Sequence, residues 1–136
     1  MKDTSGEALR RGMPPSAPEE EPEVVALARR QLAAYNAADL DAFCACYHPV
    51  VRVLEADGTV RSEGMEAFRA RYAGLFEAYR DVRAEVDARL TLGPHVVERE
   101  AWTRTHRGTG ERSDGQVLVR YTARDGTIAL VEFLTP

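Results

Sequence analysis

Residues 35–58 read Tyr-Asn-Ala-Ala-Asp-Leu-Asp-Ala-Phe-Cys-Ala-Cys-Tyr-His-Pro-Val-Val-Arg-Val-Leu-Glu-Ala-Asp-Gly. A helix running up to this stretch should end near Asn36. Asp39 is a natural N-cap, because its short carboxylate can accept a free backbone N–H of a first helical turn. A second, short helix is therefore predicted to carry Leu40, Phe43, Cys44 and Tyr47, with His48-Pro49 stopping it. Val51, Val53 and Glu55 then alternate with Arg52 and Leu54, which is the period of a strand. Asp57-Gly58 is a tight-turn signal.

On the N-terminal side, Val24, Val25, Leu27, Ala28, Leu32 and Tyr35 recur at helical spacing. Acidic residues around Pro22 suit the start of that helix. Residues 1–20 are rich in proline and poor in apolar side chains, so a disordered tail is predicted ahead of a single domain over 21–136. On the C-terminal side, a short strand over Thr59 to Ser62 is followed by a helix after Gly64. Its stripe is Phe68, Tyr72, Leu75, Phe76 and Tyr79. Val86, Ala88, Leu90 and Leu92 alternate with charges from Glu85 onward. His95 to His106 is a long strand, Arg107 to Gly115 a polar loop, and Gln116 to Arg124 and Thr127 to Thr135 a hairpin around Asp125-Gly126. The order α-α-β-β-α-β-β-β-β argues an α+β domain with helices packed on one sheet face.

The 136 residues allow one domain. A hydrophobic fraction of 44% suffices for a core, and a net charge of −4 makes a nucleic-acid surface unexpected. Arginine supplies all the basic residues except Lys2 and is spread along the chain rather than gathered in a patch. No apolar run approaches a membrane span, and the N-terminus lacks the apolar stretch of an export signal, so a cytoplasmic protein is expected. Cys44 and Cys46 cannot build a disulfide framework. At i and i+2 of a helix they point apart, so Cys44-x-Cys46-x-His48 is not read as a metal site. There is no phosphate-binding glycine loop and no serine-nucleophile motif, and no cofactor is expected.

The phrases Tyr35 to Phe43, Cys46-Tyr47-His48-Pro49 leading into Val51-Arg52-Val53, Gly64 to Phe68 and Arg124 to Ile128 resemble the NTF2-like superfamily. That superfamily includes nuclear transport factor 2, ketosteroid isomerases and SnoaL-type polyketide cyclases. The resemblance covers about residues 22–135. It implies a cone: a curved antiparallel sheet wrapped around three helices and enclosing a largely apolar pocket. It also implies homodimers through the outer sheet face, where Leu118, Leu130 and Leu134 could supply apolar surface.

The resemblance places the isomerase base at Glu55. Strand parity agrees, since Glu55 shares the face of Val51 and Val53. The isomerase oxyanion donors do not carry over: their positions fall near Gln31 and Val119. On the strand His95 to His106, the family register turns Val96, Glu98, Glu100, Trp102, Arg104 and His106 toward the pocket. Hydropathy alone favours the other set, Val97, Arg99, Ala101, Thr103 and Thr105. With the first set inward, two close carboxylates would titrate as a pair. Glu55, Glu98 and Glu100 are thus the candidate catalytic residues. Tyr35, Tyr47, Tyr72, Trp102, Arg104, Val119 and Tyr121 are the candidate ligand contacts.

Two functions fit this reading. One is a cofactor-independent isomerase, cyclase or dehydratase moving protons on a small apolar carbonyl compound. The other is a non-catalytic module that binds a small apolar ligand or dimerises.

Overall fold

The computed structural model describes residues 21–136. The predicted tail over 1–20 lies outside the described residues. The first helix, α1, spans Glu23–Asn36 and buries Val24, Val25, Leu27, Ala28, Gln31 and Ala34. Asp39 caps α2 by accepting the Ala42 N–H at 3.1 Å. Helix α2 is one short turn, Leu40–Cys44, burying Phe43 and Cys44.

Tyr47 is not on this helix: it opens β1, Tyr47–Leu54. The Ala45 and Cys46 N–H groups close the helix on the Asp41 and Phe43 carbonyls, and the Cys46 carbonyl already accepts from Ile128 in the sheet. His48-Pro49 therefore stops no helix. Pro49 sits inside β1 where the pairing with β6 slips between Tyr47 and Arg52, a place where a missing N–H costs no ladder bond. Val51 and Val53 are buried and Arg52 exposed, as the alternation predicted. The Asp57-Gly58 turn leads to β2, Val60–Glu63.

Helix α3 covers Met65–Ala78. Tyr79, expected on its stripe, instead begins β3, Tyr79–Leu92. This strand starts six residues before the Glu85 expected from the alternation. Asp81 takes φ +54°, and the pairing with β4 slips between Arg80 and Arg83. That bulge lets the chain leave the helix straight into the sheet. β4 is His95–His106, as expected. β5, Arg112–Arg124, takes four residues from the loop predicted over 107–115. β6 is Thr127–Phe133. Asp125 (φ +54°) and Gly126 (φ +79°) join β5 to β6 with two left-handed residues, the geometry that twists a hairpin correctly.

The strands form one open sheet in the order β2-β1-β6-β5-β4-β3. It is mixed rather than wholly antiparallel, because β1 runs parallel to β6. The helices cover one face. Asn36 at the end of α1 ties them to the sheet edge: its side-chain amide donates to the Ala84 carbonyl at 3.0 Å and accepts from the Ala84 N–H at 2.7 Å.

The core between helices and sheet is aromatic. The Phe43 ring centroid lies 4.6 Å from Tyr72, 5.1 Å from Tyr47, 5.6 Å from Phe68 and 6.0 Å from Tyr35. Those partners come from α3, β1 and α1, so one side chain of a five-residue helix joins three other elements. Phe43→Ala should cost about 3–5 kcal/mol of unfolding free energy. Denaturant unfolding would test this, and a loss near 1 kcal/mol would show that the cluster repacks without it.

Candidate functional site

A cavity of about 520 Å³ lies between the helices and the concave sheet face. Its wall draws Leu32 and Tyr35 from α1, Tyr72 and Leu75 from α3, Glu100, Trp102 and Arg104 from β4, and Val117 and Tyr121 from β5. The question left open by β4 is answered by burial: Val96 and Glu98 are at most 1% exposed while Arg99 and Ala101 face solvent. The charged set faces inward.

A second bulge explains how the charge is accommodated. The β3–β4 register slips between Val86 and Ala88. Val82 and Ala84 are inward before the slip. After it the parity reverses, bringing Arg89 opposite Glu98 and sending Leu90 and Leu92 out to 74% and 81% exposure. The expected common face of Val86, Ala88, Leu90 and Leu92 is broken there. Arg89 donates through Nε at 2.7 Å and approaches the same Glu98 Oε2 through Nη2 at 2.6 Å. Glu98 is therefore held by an ion pair and is not part of the cavity wall. Val119, opposite Glu98 on β5, is likewise fully buried and outside the wall.

Glu100 does reach the cavity. Tyr121 donates its hydroxyl to Glu100 Oε2 at 2.7 Å, and Oε1 has no hydrogen-bond partner among the described residues. Burial pushes the Glu100 carboxyl up to about 7, the Tyr121 hydrogen bond opposes this, and the nearby Glu98 charge adds to it. Tyr35 and Tyr72 present hydroxyls with no hydrogen bond among the described residues. Burial raises both, Tyr72 to about 12, so both remain protonated donors at neutral pH. Tyr47 differs: its hydroxyl donates to Gln31 Oε1 at 2.8 Å, and Gln31 in turn donates to the Ala28 carbonyl at 3.0 Å.

Glu55 lies at the rim, ion-paired with Arg61, whose guanidinium stands 4.2 Å over the Phe133 ring. Trp102 lies over Gly115, its partner on β5. A Cβ there would come 2.7 Å from the indole Cζ2, so the ring can occupy this position because residue 115 has no side chain. The Arg104 guanidinium sits 4.2 Å from the Tyr79 ring centroid and 4.9 Å from that of Trp102.

Of the sequence candidates, Glu55, Glu100, Tyr35, Tyr47, Tyr72, Trp102, Arg104 and Tyr121 share one cavity, whereas Glu98 and Val119 lie behind it. Arg61, Arg71 and Phe133 line it unanticipated, and Gln31 lines it where the resemblance places an isomerase oxyanion donor. Gln31 occupies the inward stripe of α1. Arg71 carries no signal in the local sequence.

Glu100 makes folding pH-dependent. Its carboxyl rises from the ordinary 4.5 to about 7 on folding, so the folded chain holds this proton more tightly than the unfolded chain. The stabilisation is full below pH 4.5 and is lost as pH climbs to about 7. The amount is on the order of 3 kcal/mol. Glu100→Gln, which keeps an acceptor for Tyr121, should remove that slope. Its melting temperature should gain on the wild type between pH 4.5 and pH 8. Parallel profiles would show that Glu100 titrates normally.

Comparison with known proteins agrees with this geometry. The family model of the SnoaL-like domain matches residues 28–131. No curated protein matches the sequence. Among solved structures, an uncharacterised cystatin-fold protein from Novosphingobium aromaticivorans is 26% identical, with a TM-score of 0.74 over 84% of this chain and 98% of its own. A candidate SnoaL-like polyketide cyclase from Jannaschia sp. CCS1 is 21% identical, with a TM-score of 0.71 over 86% and 90%. TerC, co-crystallised with polyporic acid, is 16% identical, with a TM-score of 0.70 over 85% and 92%. With its α+β cone of three helices on an open curved sheet and a family match spanning most of its length, the chain belongs to the SnoaL-like domain family.

Proposed function

We propose that the cavity catalyses proton transfer on a small, apolar, carbonyl-bearing compound, with Glu100 as the acid/base. The carrying observation is Glu100 itself: one carboxylate oxygen is fixed by Tyr121 and the other is free at the cavity wall. A group titrating near 7 is populated in both forms at neutral pH, the condition under which one residue can take and return a proton. In the step we propose, ionised Glu100 removes a proton from the carbon beside the carbonyl. The C–H electron pair moves into an enolate, and the Tyr35 or Tyr72 hydroxyl donates to its oxygen. Glu100 then returns the proton to a different carbon, or to a leaving group. Such donors contribute most where water is excluded. Glu55 is the second carboxylate of this reading, at the rim and paired with Arg61, so Glu100 rather than Glu55 is the base we place within the cavity.

This reading is supported by the family membership and by the small-molecule complex of TerC, the fold neighbour. Incubating the protein with a panel of aromatic ketones in D₂O and following deuterium incorporation by NMR tests it, since the exchange step needs only an acidic C–H beside a carbonyl. Glu100→Gln should lower the exchange rate about 10²–10⁴-fold with little change in KM. The limb of the wild-type pH–rate profile near pH 7 should vanish with it. Exchange unaffected by the substitution would remove Glu100 from the chemistry.

A second reading, a dimerising binding module, draws on the outer sheet face. Leu118 and Leu130 are half-buried there, and Leu134 is 43% exposed. Sedimentation at tens of micromolar should show a dimer that Leu134→Glu weakens. A wild-type monomer would count against it.

A further inference from the structure

Arg104 is a cation in the cavity wall with no ion pair and no hydrogen bond among the described residues. Its Nε atom is buried and has no partner among the described residues. The Tyr79 and Trp102 rings hold the guanidinium in place but supply no oxygen acceptor to its N–H donors. An arginine pinned in this way, with its fork of donors unused, is suited to a carboxylate. The carboxylates of the wall do not serve it: among the described residues no ion pair joins Arg104 to Glu100, which accepts from Tyr121, or to the carboxylate of Pro136. Glu55 is engaged by Arg61, and Asp57 accepts from the Thr59 N–H in its own hairpin turn.

Glu100 and Arg104 stand on the same face of β4, four residues and so about 13 Å of strand apart, with Trp102 between them. A ligand that reaches both presents an anionic end and a carbonyl to the same cavity wall. Resting on the proton-transfer reading of this cavity, we infer that the substrate carries a carboxylate on its otherwise apolar body: the anionic end pairs with Arg104, and the reacting carbonyl faces Glu100. The charge then serves as an address that orients the molecule, while the rest of it meets the apolar part of the wall.

The probe is 6-acetyl-2-naphthoate, compared with its uncharged carboxamide by isothermal titration calorimetry. The two differ in charge and hardly in shape. The wild type should bind the carboxylate about ten- to hundredfold more tightly than the amide. Arg104→Met should bring the two affinities to within about twofold. Arg104→Lys, which keeps the charge, should restore part of the preference, and the melting temperatures of both variants show whether each is folded. Equal wild-type affinities would overturn the inference without any variant, as would binding of neither compound. A preference that survives in folded Arg104→Met would overturn it as well. Glu100→Gln separates this claim from the one it rests on. Deuterium exchange that ignores Glu100, with the charge preference intact, sinks the proton-transfer role alone. Exchange that depends on Glu100, with no charge preference, sinks the anionic substrate alone.

Discussion

The ring of Phe43 is the point on which α1, α3 and β1 converge. Burying one phenyl group is worth roughly 1.5–3 kcal/mol by area alone, and tilted aromatic neighbours add to it. The larger consequence is geometric. A five-residue helix has too few backbone hydrogen bonds to persist by itself, so α2 exists because Asp39 caps it and Phe43 anchors it. The same ring forms part of the cavity wall. The packing that holds the helices on the sheet is thus also what bounds the space beneath them, and the pocket is a product of core packing.

The second bulge of β3 supplies the counter-charge that the polar face of β4 needs. Without the slip between Val86 and Ala88, Arg89 would point to solvent and Glu98 would be a buried carboxylate with no counter-charge, an arrangement costing several kcal/mol. The slip supplies the partner and leaves the negative charge of Glu98 close behind Glu100, where it joins burial in favouring the protonated acid. Tyr121 works the other way, since its hydroxyl favours the ionised form. A carboxyl poised near neutrality results from these opposed influences, placed by strands whose backbones lie apart in sequence.

Much of this was legible in the chain. The Asp39 cap, the Val51/Val53 parity, the Asp57-Gly58 and Asp125-Gly126 turns and the long strand from His95 to His106 are local features, and local chemistry decides them. Placing Glu100, Trp102 and Arg104 on one face needed only the period of a strand. Their inward direction did not follow from hydropathy, because the inward set is the more charged one and its partner Arg89 arrives through a bulge. Bulges leave little trace in sequence: Asp81 and the Val86–Ala88 slip interrupt an otherwise regular alternation. Tyr79 is misleading for a related reason. It continues the α3 stripe by spacing, yet the strand begins with no intervening loop to announce the change. Arg71 and Arg61 were invisible because lining a cavity depends on the curvature of the whole sheet.

The contact between Trp102 and Gly115 carries a consequence for how such a chain can change over generations. A methyl group at position 115 collides with the indole, whereas a smaller side chain at 102 collides with nothing new. The two positions are therefore coupled: a side chain at 115 requires the indole at 102 to shrink or to turn away. Descendants that keep the tryptophan ring in this position keep a glycine beside it. Growth at 115 thus reshapes this end of the cavity by displacing its tryptophan wall.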